Sequence, residues 1–269
     1  MSLPDKALFG KICNLRIGNA LFKYPPFSIE FEQTQDLNKP SVTKVKLYNP
    51  NNDTVKAVEP KPKGKTFEYV EIQIDAGFES DYGTVCVGEI SDYHIYKQGV
   101  DRILELTVGD IAGKWANLII GKSFNNMTNQ DILDNVLDIA QAKGKVLLGE
   151  IKKMKSFSAG SFKDVIKNLT KSSSSNYYFR NGKVYIEPKD PAKINSIAYI
   201  SPTTGLIKDI EKETKGYKFN TVFFYNVQVG DMVQIQDNKY DKTNVKIVGV
   251  KKLFSTFGTS ECQYRAVEI

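Results

Sequence analysis

Apolar residues recur at every second position through both ends of this 269-residue chain, and at every third or fourth only in its middle. A period of two belongs to a strand with one face buried, and a period near 3.6 to a helix. The clearest strand is VEIQIDAGF, with Val70, Ile72 and Ile74 on one side and Glu71 and Gln73 on the other. PPFSIEFEQT alternates around Phe27, Ile29 and Phe31. SVTKVKLYNP alternates around Val42, Val45 and Leu47 and stops at an Asn-Pro turn signal. Residues 49–64 are polar and contain prolines, and read as a loop or a short helical turn. TVCVGEISDYHIYKQGVDRILELTVGD reads as a hairpin with KQGVD at its tip. From about residue 194 the strand pattern returns in IAYISP, YKFNTVFFYN, DMVQIQD, TNVKIVGVKKLF and ECQYRAVEI.

The middle changes character. IAGKWANLIIGKSF fits either period. NMTNQDILDNVLDIAQAKGK predicts a helix, because Ile132, Leu133, Val136, Leu137 and Ala140 make one apolar stripe. Thr128 with Asp131 three residues on resembles a capping box, and Gly144 stands where a C-terminal cap is expected. A second helix is predicted over 162–171, with Ser161 as N-cap and Phe162, Val165, Ile166 and Leu169 inward. The serines at 172–175 end it. NYYFRNGKVYIEP follows, its Asn181-Gly182 pair supplying the positive φ angles of a two-residue hairpin turn.

The order β-rich, helix–helix–hairpin, β-rich predicts a mainly β fold with an α/β insert, two tube-like β-barrel domains linked by the small central region. The expected boundaries are 1–115 for the first barrel, 116–193 for the insert and 194–269 for the second barrel. No sequence repeat of 20–50 residues is visible.

Composition narrows the function. Charged residues make up 25% and hydrophobic residues 41%, which suits a folded chain and not a disordered one. No apolar run reaches membrane-span length, and MSLPDKALFGKI lacks a signal-peptide core, so synthesis in a cytoplasm without export by a signal peptide is expected. The three cysteines, Cys13, Cys86 and Cys262, are far apart and lie among strand-forming residues, which predicts buried free thiols. The net charge of +6 is mild, and no run of five or six like charges marks a dedicated nucleic-acid binder.

No catalytic constellation is legible. His94 is the single histidine, in an alternating strand where a surface or half-buried place is expected. There is no HExxH or GxSxG. The GKSF run at 121–124 lacks the upstream glycine of a phosphate loop, since Ala116 holds that position. Glu79 with Asp81, and Asp209, Glu211 and Glu213, are carboxylates that read as solvated faces. Tyr177, Tyr178 and Phe179 read as core at strand spacing and not as a stacking platform. No catalytic, cofactor-binding or metal-binding residue is therefore assigned, and no cofactor is expected.

Several segments, taken in order, resemble the baseplate hub family of contractile phage tails, the late-control protein D type. SIEFEQTQDLNKPSVTKVKLYNPNNDT is similar to its opening strands. VEIQIDAGFESDYGTVCVGEISDYHI is similar to its Ala-Gly-aromatic hairpin, with Ala76, Gly77, Phe78, Gly83, Gly88, Glu89 and Ile90 at the matching positions. TNQDILDNVLDIAQAKG resembles its helix after the first barrel, and YYFRNGKVYIEP its Asn-Gly hairpin. SPTTGLIKDIEKETKGYKFNTVFF resembles the entry to its second barrel, through Thr204, Gly205 and Leu206, and VGDMVQIQD the strand that follows. VGVKKLF departs from the family by carrying lysines where a histidine often stands.

The resemblance implies a non-enzymatic structural protein. It implies a homotrimer whose six barrels form a ring between a tail tube protein and a spike protein, beside other baseplate proteins, within a phage virion or tail-like particle. Nucleic acid would be passing cargo at most, and no membrane is involved. Two other readings stay open: a tail-associated hydrolase whose carboxylates have no local signature, and a carbohydrate- or nucleic-acid-binding β protein.

Overall fold

A computed structural model describes residues 10–59, 61–63, 66–109, 115, 118–189 and 198–269. The first nine residues and the expected boundary at 193/194 lie outside this set. The N-terminal part carries β1 (Lys11–Ile17), β2 (Ala20–Tyr24), β3 (Ile29–Asp36), β4 (Val42–Tyr48), the short helix α1 (Asn52–Ala57), β5 (Lys61–Lys63), β6 (Thr66–Glu68), β7 (Glu71–Phe78), β8 (Asp81–Gln98) and β9 (Asp101–Gly109). The middle carries β10 (Ile119–Thr128), α2 (Asn129–Ala140), β11 (Gly144–Val146), β12 (Lys153–Ser161), α3 (Phe162–Ser172), β13 (Ser175–Arg180) and β14 (Lys183–Pro188). The C-terminal part carries β15 (Ala198–Ile200), β16 (Glu211–Glu213), β17 (Gly216–Val222), β18 (Met232–Ile235), β19 (Thr243–Ser255) and β20 (Glu261–Glu268). The fold is mainly β with an α/β insert, as the change of period predicts.

The two β-rich ends share one 13-stranded sheet. Its main path runs β16-β17-β20-β19-β3-β4-β9-β8-β7-β1-β2, with β18 beside β19 and β15 beside β18. The join is the antiparallel pair β3·β19, in register from Asp36 opposite Gly249 to Glu30 opposite Ser255. The inward residues of both ends form one apolar core, in which Leu15, Ile29, Val45, Ile74 and Leu104 belong to the same cluster as Val233, Val245 and Ile247. Burying each such side chain contributes about 1.5–3 kcal/mol before chain entropy is charged against it.

The insert has its own core. Ile132, Leu133 and Val136 of α2 face Phe162, Val165, Ile166 and Leu169 of α3 and Val184 and Ile186 of β14. Thr128 caps α2 through a complete capping box with Asp131, and Ser161 caps α3 by accepting from the Asp164 amide. The Asn181-Gly182 turn has φ of 51° and 69°, closing β13 on β14.

Two details differ from expectation. Gly144 does not cap α2, which ends on Gln141 in the left-handed region at φ 51°. Gly144 instead opens β11, where a Cβ would lie 1.6 Å from the Val184 carbonyl oxygen, so close backbone approach is what requires glycine there. Val42 is 43% exposed, because β4 turns Thr43, Val45 and Leu47 inward and the two-residue period puts Val42 on the other face.

Candidate functional site

The feature that sets this chain apart from a pair of independent β domains is the seam where β3 meets β19. Its solvent face is a ladder of polar pairs. Arg265 of β20 pairs with Asp36 of β3 across Gly249 of the intervening β19. A Cβ at Gly249 would come within 2.6 Å of the Arg265 guanidinium and 2.8 Å of the Asp36 carboxylate, so the bare backbone leaves that pair its path. One step along, Lys251 of β19 reaches Glu32 of β3 at 3.0 Å. At the far end Glu30 accepts from the Ser255 hydroxyl at 3.0 Å and from the Tyr48 hydroxyl at 2.9 Å. Burial, then Glu30, pushes the Tyr48 phenol up to about 12. Above these pairs lies an open groove of about 460 Å³ that also takes in Lys44, Lys46 and Glu105. Exposed ion pairs of this kind contribute about 0–1 kcal/mol each, so they set register more than stability.

The inner face of the seam is unusual. Cross-strand register places Thr221, Cys262, Lys252, Gln33 and Thr43 in one row through five strands, all of them essentially buried. Lys252 donates to the Tyr225 carbonyl at 2.6 Å, and Gln33 to the Val85 carbonyl at 3.0 Å. Thr43 donates to the Cys86 sulfur at 3.4 Å. Burial pushes the Lys252 ammonium down to about 8, against a smaller opposing pull from Cys262 and Asp231. Beside the polar row, Phe31 of β3 stacks on Phe254 of β19 at 5.4 Å, and Phe223 meets Phe254 edge-on at 4.8 Å. The carbonyl that Lys252 holds belongs to Tyr225, whose ring packs where Gly83 of β8 has no side chain and whose hydroxyl bonds Asp81. The loop after β17 is thereby tied to both ends of the chain.

The insert is fastened to both sides of the same seam. Asn38, in the β3–β4 turn, donates its amide to the Tyr177 carbonyl at 2.7 Å, and its side-chain oxygen accepts from the Tyr177 amide at 3.0 Å. Arg180 donates to the Val229 carbonyl at 2.6 Å and to Asp231 at 2.9 Å. Its guanidinium lies within 5.7 Å of the stacked Tyr178 and Tyr185 rings. Lys246 and Glu187 add a nearly buried ion pair at 2.5 Å.

The residues weighed from sequence fall as follows. His94 is exposed on β8 and stacks on Tyr96 at 5.7 Å. Tyr177, Tyr178 and Phe179 are buried at 7% exposure or less, Tyr177 and Phe179 in the insert's core and Tyr178 against the main core. Cys13, Cys86 and Cys262 are buried free thiols, and burial followed by Asp75 pushes Cys13 up to about 12. Glu79 lies in the β7–β8 turn, and Asp209 pairs with Lys239 at 2.9 Å near the exposed Glu211 and Glu213. The GKSF run belongs to β10, so it is a strand and not a loop at a helix start. Among the described residues no cluster of three or more His, Cys, Asp or Glu is placed to hold a metal, and no helix is long and apolar enough to cross a membrane. Sequence reasoning missed Lys252 and Gln33. Neither carries a local signal, because their burial depends on a pairing between positions more than 200 residues apart.

No family model matches the sequence, and no curated protein matches it. Solved structures do match in fold. A tail protein from Neisseria meningitidis MC58 superposes with a TM-score of 0.68 at 12% identity, over 97% of each chain. The 43 kDa tail protein of prophage MuSo2 from Shewanella oneidensis gives 0.69 at 10% identity, over 96% of this chain and 98% of that one. An E. coli component of the type VI secretion system, described as structurally similar to the T4 tail proteins gp27 and gp5, gives 0.67 at 11% identity, over 95% of this chain and 76% of that one. The fold is thus that of phage tail and secretion-spike proteins from end to end.

Proposed function

We propose that this chain is a non-enzymatic structural subunit of a phage tail or tail-like particle, a baseplate hub of which three copies form a ring between the tail tube and the central spike. The carrying observation is the seam. Two β regions of one chain are hydrogen-bonded side by side into a continuous sheet, and among the described residues its main path ends in β2 on one side and β16 on the other. Unpaired strand edges invite further pairing, and a closed ring is one way to dispose of them. In this reading residues 1–115 and 194–269 are two barrels of similar build, and 116–193 is the insert that braces them. Three copies then supply six barrels, which suits a sixfold tube above and a threefold spike below. The full-length fold match to tail proteins supports the assignment. The seam's chemistry supports it as well, since Lys252, Gln33 and the pairs above them are engaged in holding strands together.

Native mass spectrometry of the purified chain, alone and mixed with a spike protein from the same particle, tests the reading. The expected result is a weakly associating chain of 30.2 kDa that becomes a stable set of three on the spike. A stable complex with one copy or six per spike would contradict it. Clearing of peptidoglycan by the chain, lost on changing one Asp or Glu, would favour the hydrolase reading instead.

A further inference from the structure

The charge of this molecule is not distributed as its strands are. Of the 37 Lys and Arg residues, 13 fall in 116–193 against 7 of the 31 Asp and Glu; the rest of the chain holds 24 of each. The two β-rich ends are therefore neutral together, and the whole net charge of +6 sits in the insert.

Within the insert the charge is sorted again. The exposed side of α2 carries Asp131, Asp134 and Asp138. The exposed side of α3 carries Lys163, Lys167 and Lys171, one per turn, a stripe about 12 Å long. Among the described residues none of these three lysines makes an ion pair. At the stripe's C-terminal end Lys152 donates to the Ser172 carbonyl at 3.3 Å, its charge already paired with Glu150. Lys153 and Lys155 are exposed on β12, the strand that runs into α3. Two large aliphatic side chains bound the stripe. Ile151, 65% exposed, precedes Lys152. Ile119, 67% exposed, stands opposite Ser161, the N-cap of α3. Leu147, in the same connection as Ile151, is 56% exposed.

We infer that the α3–β12 face of the insert docks an acidic protein segment that also presents aliphatic side chains. Lys163, Lys167 and Lys171, joined by Lys153 and Lys155 and opposed on α3 by Asp164 alone, which caps the helix start beside Ser161, create a local positive field that steers an acidic partner. Exposed isoleucines at both ends give that partner apolar area to cover. A second copy of this chain is a poor occupant, since each insert carries the same net +6 and Asp131 is already engaged in its capping box. A nucleic acid is poorer still. The stripe holds no arginine and no exposed aromatic ring on which a base would stack, and a phosphate backbone makes no use of exposed isoleucine. The face is separate from the sheet seam, so the inference stands whether or not the chain forms a ring.

Fluorescence anisotropy of the full chain tests it with three probes: a labelled peptide of alternating Glu and Leu, an all-Glu peptide of equal charge, and a single-stranded DNA of equal charge. The Glu-Leu peptide should bind at least about tenfold tighter than either other probe and weaken with added salt. The triple change Lys163→Gln, Lys167→Gln, Lys171→Gln should abolish that binding. The same change at the exposed Lys215, Lys218 and Lys242 should leave it intact. All six side chains are exposed, so circular dichroism should be unchanged in both variants. Binding that survives the α3 changes, or DNA bound as tightly as the Glu-Leu peptide, would overturn the inference.

Discussion

Arg265 reaches Asp36 over a strand that neither belongs to, and Gly249 is the residue beneath. The contact ties the last strand of the chain to one of the first. It predicts a mild outcome for Gly249→Ala, because the new methyl meets only the mobile ends of two side chains, one of them 56% exposed. The cost should stay within about 1 kcal/mol. Gly144→Ala should be far worse, at about 2 kcal/mol or more, because its methyl meets the Val184 carbonyl, which is backbone. Urea titrations of the two variants check this, and equal losses would contradict it.

Lys252 predicts a pH dependence. Its folded value, about 8, lies below the ordinary lysine value near 10.5, so between those limits the unfolded chain binds more protons. Stability from this group therefore rises with pH from about 8 to 10.5, by on the order of 3 kcal/mol, and is flat below 8. Gln33 and Cys262 flank it, the Tyr225 backbone carbonyl accepts its hydrogen bond, and Asp231 and Arg180 act at longer range. Lys252→Met removes the titration while other groups, Cys13 among them, remain. The stability of the native chain minus that of the variant should climb across this window. A flat difference would mean that the amine is solvated.

The apolar stripe of α2 gives a sharper contrast. Leu133 is fully buried, and Leu133→Asp should cost several kcal/mol by placing a charge among Phe162, Val165 and Ile166. Asp134, one residue on, faces solvent and accepts from Gln130, so Asp134→Ala should stay within about 0.5 kcal/mol. Thermal melts of both variants decide the matter.

The thiols make a chemical prediction. Cys13 and Cys262 are fully buried, with burial pushing both thiols up, so neither should react with an aromatic disulfide reagent until the protein unfolds. Cys86, at 2% exposure, should behave the same way. Prompt release of one equivalent at neutral pH would show that the core opens locally.

These outcomes mark what the sequence could and could not say. Alternation located β3, β7 and β20, and the Asn181-Gly182 turn located β13 and β14, because each signal is local. β12 was invisible: KMKSFSAGS pairs with β10 in a two-stranded sheet that buries little beyond Phe124 and Ala159, so no period is imprinted on it. The seam had no sequence signal. β19 carries a bulge between Ile247 and Gly249, and its Lys251-Lys252 pair puts one lysine on each face, which places an ammonium in the core where pattern alone suggests solvent. The hub resemblance pointed to the fold without foretelling that both ends share a single sheet.

The central claim is that three copies of this chain close a ring. Imaging the intact particle by cryo-electron microscopy tests it most directly. The account predicts three copies around the axis, each contributing its two β regions side by side, with β2 of one copy near β16 of the next. Six copies in the ring, or one isolated copy on the axis, would contradict it.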